Sequence, residues 1–150
     1  MNIGIVGSRR RSSISDRKYV FDLVEFLFIE LGKDLVIVSG GCKKGADKFA
    51  EDATDRYGIK KIIHKPNLIP TPTCRIDVVS RYYDRNKKIA QDSDYLYALV
   101  SSDRTGGTEN TIEYMMNIKK PITIVYPDFS ERNLFLNKSS SQFDFSVFKR

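Results

Sequence analysis

Tryptophan is absent from this chain, histidine occurs once, at His64, and cysteine twice, at Cys42 and Cys74. One imidazole and two thiols without C-x-x-C spacing do not make a metal ligand set, so no metal and no cofactor is expected. Long hydrophobic runs are missing as well. No stretch approaches the ~18 consecutive apolar residues of a membrane span, and the opening MNIGIVGSRR holds only a short apolar patch before its arginines. Neither a membrane segment nor a signal peptide is expected, and the chain reads as cytoplasmic. Two phosphate-binding fingerprints are lacking too. A P-loop needs Lys-Ser/Thr after its last glycine, where Gly45 is followed by Ala46-Asp47; the dinucleotide fingerprint G-x-G-x-x-G fails at Gly7-Ser8-Arg9-Arg10. Neither an ATPase nor an ordinary NAD enzyme is indicated.

What is present suits one globular core: 150 residues, 41% hydrophobic and 29% charged. The net charge of +6 favours anionic partners such as nucleotides, nucleic acid or acidic surfaces. Most basic residues are scattered over helices and termini. Two clusters, Arg9-Arg10-Arg11 and Lys43-Lys44, fall in turns that follow strand-like segments.

Apolar, β-branched runs at residues 2–6, 35–39, 60–65, 95–100 and 121–126 read as five short strands. Between them, apolar residues recur at three- and four-residue spacing. Val20, Leu23, Val24, Leu27 and Leu31 predict a helix over 16–31, capped by Ser15 or Asp16 and ended by Gly32. Ala46, Phe49, Ala50, Ala53 and Tyr57 predict a second over 46–57, and further helices are expected over 80–92 and 109–119. Residues 66–74, with three prolines, read as a loop. Residues 1–126 thus form one domain, and 127–150 an extension in which FDFSVF suits an edge strand or a partly ordered tail.

Strands alternating with helices imply an α/β, Rossmann-like doubly wound parallel sheet of about five strands, with helices on both faces and strand order 3-2-1-4-5. Ligands of such sheets bind at the carboxyl ends of the strands, where the order reverses. Three unusual turns converge on that edge: GSRRRSS after strand one, SGGCKKG after strand two and SSDRTGGT after strand four. Glycine turns opening onto helix N-termini offer bare N–H groups to an anion. The expected ligand-binding residues are therefore Gly7, Ser8 and Arg9 from the first turn, Ser39, Gly40, Gly41, Lys43, Gly45 and Asp47 from the second, and Gly106, Gly107 and Thr108 from the fourth. Cys42 reads as a small residue tolerated in a tight turn.

The combination of IVGSRRRSS, VSGGCKKGADKFAEDA, RNKKIAQDSDYLYALV and GGTENT resembles the SLOG superfamily of Rossmann-like domains over roughly residues 3–126, and within it the small stand-alone, YspA-like members. The resemblance implies binding of a nucleotide or nucleotide-derived small molecule, and adds Arg85 and Asn86 as a wall of the site. The chain is also similar to the DNA-processing protein A family, which implies single-stranded DNA as an alternative partner. Arg9, Lys43, Lys44, Arg85 and Lys87 suit a basic groove; no aromatic stacking series is evident, and Tyr82 and Tyr83 have two readings, helix packing, which is preferred, or base stacking.

A third likeness is to cytokinin-activating phosphoribohydrolases of the Lonely Guy type and to nucleoside deoxyribosyltransferases, which cleave N-glycosidic bonds. Their glutamate follows the turn threonine by three residues, and that position here is Thr111. Glu109 remains as a catalytic candidate against a plain helix-dipole carboxylate. Asp47 has two readings, a ligand contact or a cap; Asp103 reads as solvated, and His64 takes no catalytic role. A binding or sensing module is the leading expectation, with a homodimer as its assembly.

Overall fold

Alternation within the strands decides where the helices go. The computed structural model describes residues 1–135. Its strands are β1 (Asn2–Gly7), β2 (Val36–Ser39), β3 (Lys60–Ile63), β4 (Tyr95–Leu99), β5 (Ile122–Val125) and β6 (Glu131–Leu134), and its helices α1 (Ile14–Leu31), α2 (Ala46–Tyr57), α3 (Arg75–Asp92) and α4 (Gly107–Asn117). Ile3, Ile5, Ile37, Tyr95, Tyr97 and Leu99 point to one face and pack with α1 and α2 through Tyr19, Leu23, Leu27, Ala50 and Ala53. Val6, Val38, Leu96, Ala98 and Ile124 point to the other and pack with α3 and α4 through Ile89, Ile112 and Met115. Strands buried on both faces are what near-continuous apolar runs produce.

The sheet order is β3-β2-β1-β4-β5-β6. The first five strands run parallel, in the order expected from the sequence, and β6 adds antiparallel to β5 with Ile122 opposite Leu134. The sheet is thus a Rossmann-like doubly wound one with an antiparallel edge. Residues 127–135 were expected to be irregular; β6 escaped notice because its side chains are largely exposed and polar, as an edge strand tolerates. The FDFSVF segment lies outside the described residues. Among the described residues no helix is long and apolar enough to cross a membrane.

Three helix starts differ from expectation. Ser13, not Ser15 or Asp16, caps α1: its hydroxyl accepts from Asp16 N at 3.0 Å while the Asp16 carboxylate accepts from Ser13 N, a reciprocal capping box. Helix α3 begins at Arg75, not near residue 80, because Ile76 and Val79 in its first turns are exposed and give no core periodicity. Asp77 closes that first turn, accepting from Thr73 N and pairing with Arg81. Helix α4 begins two residues earlier than expected, at Gly107, and ends at Asn117, where Lys119 turns to a left-handed φ of 56°.

Candidate functional site

The β1 turn carries three consecutive arginines to three different environments. Arg11 folds inward, with 5% exposure, and donates to Asp16 Oδ1 at 2.8 Å and to the carbonyls of Val100 and Val125. It therefore ties the start of α1 to the ends of β4 and β5. Arg10 crosses to the β4 turn, where its guanidinium makes a two-pronged bond to Asp103 at 2.7 Å and also reaches Ser101 and Thr105. These donors, Arg10 foremost, hold the Asp103 carboxyl well below the usual carboxylate range. Asp103 is thus an anchor of the turn, not a merely solvated side chain. Arg9, exposed like Arg10 but without a carboxylate partner, turns toward the second turn, its Nε 3.0 Å from Cys42 Sγ.

The second turn is closed from below by Asp47. Its buried carboxylate accepts from Gly40 N at 3.1 Å and faces Arg85, whose guanidinium in turn donates to the Gly40 carbonyl. Burial pushes the Asp47 carboxyl up to about 6, against the opposing pull of Arg85 and the backbone N–H groups of Cys42, Gly40 and Gly7. Of its two sequence readings, the structural one carries these contacts. Burial likewise lowers the Arg85 guanidinium from its ordinary value, with Asp47 opposing. Gly45, at φ 78°, lets α2 start hard against the first turn: a Cβ there would sit 2.8 Å from Ser8 O.

Between the ends of β1 and β4 and the helices α3 and α4 lies a cleft of about 500 Å³. Its floor is Gly7, Ser8 and Arg9; one end is Thr105, Gly106, Gly107 and Thr108 at the N-terminus of α4. Gly106 caps α4 with no side-chain hydrogen bond, so the first turn of that helix keeps donors for whatever occupies the cleft. The opposite wall comes from α3, with Val78, Val79, Tyr82, Tyr83 and Ile89. Asn86 joins the walls, its amide donating to Gly107 O at 3.3 Å and to Asn110 Oδ1 at 3.0 Å.

Of the residues expected at the site, Gly7, Ser8, Arg9, Asp47, Arg85, Asn86, Gly106, Gly107 and Thr108 line this cleft. Gly40, Gly41 and Lys43 line an adjoining groove instead. Ser39 and Gly45 line neither: Ser39 is fully buried and Gly45 packs under the first turn. Glu109 is also outside the cleft lining, held by Arg104 through Nε bonds of 2.9 Å to both carboxylate oxygens. Thr111, at the position where the glycosidase-like families carry glutamate, lines the cleft with a buried hydroxyl directed to Gly107 O. Of the α3 wall, Arg85 and Asn86 were expected, whereas its apolar and aromatic part, Val78, Val79, Tyr82 and Tyr83, was not read as part of the site. Tyr83, 45% exposed, does not pack a helix interior. Its signal was present in the spacing of Val78, Tyr82, Asn86 and Ile89, one face of a helix that also bears the Arg-Asn pair.

No family model and no curated protein matches the chain. Among solved structures it is similar to DNA processing protein A from Streptococcus pneumoniae, with a TM-score of 0.63 and 22% identity over 82% of this chain and 49% of that one. It thus spans about half the length of that protein. It is also similar to the molybdenum cofactor carrier protein of Chlamydomonas reinhardtii, with a TM-score of 0.55 and 14% identity over 82% of this chain and 74% of that one. At these identities the likeness establishes the Rossmann-like fold.

Proposed function

We infer that the chain is a binding or sensing module for a phosphate-bearing nucleotide or nucleotide-derived small molecule, held in the cleft between β1, β4, α3 and α4. One observation carries the reading: a glycine turn at an uncapped helix N-terminus faces Ser8 and Arg9 across a cleft whose remaining wall is apolar and aromatic. Phosphate suits the first end and a planar base the second. The volume is that of a small-molecule site. The resemblance to SLOG domains supports the same reading, and one structural neighbour is named as a carrier of the molybdenum cofactor. The placement of Glu109 on Arg104 and of Thr111 in the cleft favours binding over N-glycosidic cleavage.

Thermal unfolding against a panel of nucleoside monophosphates tests it. A true ligand at a hundredfold its dissociation constant stabilises by about 2.7 kcal/mol, and Tyr82→Ala and Thr108→Val each remove that gain. Absence of any shift across the panel overturns the reading. A second reading, single-stranded DNA, is favoured by the basic groove beside the cleft and by the fold shared with a DNA processing protein. Its signature is an oligonucleotide affinity that falls steeply with salt and with Lys43→Ala.

A further inference from the structure

The cleft opens sideways into a groove of about 650 Å³ that shares Arg9, Arg10, Cys42, Tyr82 and Arg85 with it. The groove lining brings in Lys43, Lys44 and Lys65 and contains no aspartate or glutamate. Arg10 is engaged by Asp103 and Arg85 by Gly40 O, but Lys43, Lys44 and Lys65 have no carboxylate partner among the described residues. Lys18, Lys48 and Lys61 are paired with Asp22, Asp52 and Asp55, whereas Lys33, Lys60 and Lys119 also lack a carboxylate partner among the described residues; what sets Lys43, Lys44 and Lys65 apart is that they line one groove. The three lysines also come from two separate elements. Lys65 reaches the second turn by laying its stem across Gly41, where a Cβ would stand 2.9 Å from Lys65 Cγ. A side chain at Gly41 would push Lys65 away, so the glycine at φ 69° draws the cations together.

Beyond Lys65 the surface changes character. Arg81 is committed to Asp77 and to the carbonyls of Asn67 and Pro70, and Asp84 enters the lining, so the carboxylate-free stretch is short. Like charges gathered without counter-ions repel and raise the local positive potential, which a chain of phosphates relieves.

We propose that the groove of Lys43, Lys44 and Lys65 is a second anion subsite, taking the distal phosphates of a nucleoside di- or triphosphate whose nucleoside end lies in the cleft. This rests on the reading of the cleft given above and narrows its ligand class. The contact at Arg9 and Tyr82, shared by both cavities, is the point through which the phosphate chain passes.

The test is calorimetric titration in EDTA, at low salt, of nucleoside mono-, di- and triphosphates, inorganic tripolyphosphate and a deoxythymidine oligonucleotide, into the wild type, a Lys43→Gln/Lys44→Gln/Lys65→Gln variant and Lys65→Glu alone. All three lysines are exposed, and circular dichroism checks that the variants keep the fold. The triphosphate is expected to bind about tenfold or more tighter than the monophosphate, and the triple variant to abolish that difference while leaving the monophosphate unchanged. Equal affinities along the series, or equal losses for mono- and triphosphate in the variant, overturn the subsite and leave the cleft reading standing. Lysine-dependent binding of tripolyphosphate with no added affinity from a nucleoside leaves the subsite standing and overturns the cleft reading. Lysine dependence confined to the oligonucleotide assigns the groove to a polymer and overturns the proposal, as does the absence of any binding.

Discussion

Arg9 and Arg11 are neighbours but one, and they occupy opposite kinds of ground. Arg11 is buried against Asp16 and two backbone carbonyls at the top of β4 and β5, whereas Arg9 is exposed above the cleft beside Cys42 and Tyr82. The first region spends its charge on architecture; the second leaves it facing solvent. The comparison teaches that a cluster of basic residues in a turn is not a measure of the charge available to a ligand. Burial and pairing decide that, and here they divide the cluster residue by residue.

Removing the buried clamp is the strongest way to sharpen the contrast. Arg11→Ala leaves Asp16 buried without its cation, and breaking such a pair costs about 3–5 kcal/mol, read as a lower urea midpoint. Arg9→Ala is expected to leave the midpoint unchanged, and equal falls for the two would break the comparison.

A smaller loss is expected at the seam between the first and second turns. Gly45→Ala combines a left-handed φ with a Cβ pressed on Ser8 O, and strain of this kind costs about 1–3 kcal/mol. Thermal melts check it, and a variant as stable as the wild type would mean the two turns are not held in the contact described.

Asp47 supplies a pH test of the floor beneath the open region. Its folded-state pKa, pushed up to about 6 by burial, lies above the ordinary carboxylate value of 3.8. The folded protein therefore holds the proton longer than the unfolded chain. The stability this group contributes is fully present below about pH 4 and is lost as pH rises through about 6. Urea melts between pH 4 and 7 are expected to show the wild type losing ground to Asp47→Asn across that window; a difference that stays flat or reverses contradicts the burial described. The smallest effect belongs to Arg10→Ala, since its pair with Asp103 is exposed on both sides and its loss is expected to leave the melting temperature unmoved.

Much of the fold was legible in residue spacing. The five parallel strands and their order, the end of α1 at Gly32 and the end of α2 at Gly58 all follow from local pattern, because strand burial and left-handed helix ends leave residue-type signatures. The start of α3 was not legible, since Ile76 is 81% exposed and breaks the expected link between apolar residues and core. Nor was β6, an edge strand held by backbone pairing with β5 and not by an alternating apolar face. At the site, the glycine turns could be read, whereas for Tyr82 and Tyr83 of the α3 wall packing was the preferred reading.

By itself the sequence determined the elements, their alternation and the three glycine-rich turns at one sheet edge, because periodicity and turn chemistry are local properties of the chain. Only the tertiary structure decided which charges those turns leave available. Arg11 finds the carbonyl of Val125 across 114 positions, Arg10 finds Asp103 across 93, and Lys65 finds the bare backbone of Gly41. Pairing and burial are made between distant segments, so the difference between a structural cation and one left for a ligand exists only once the chain has folded.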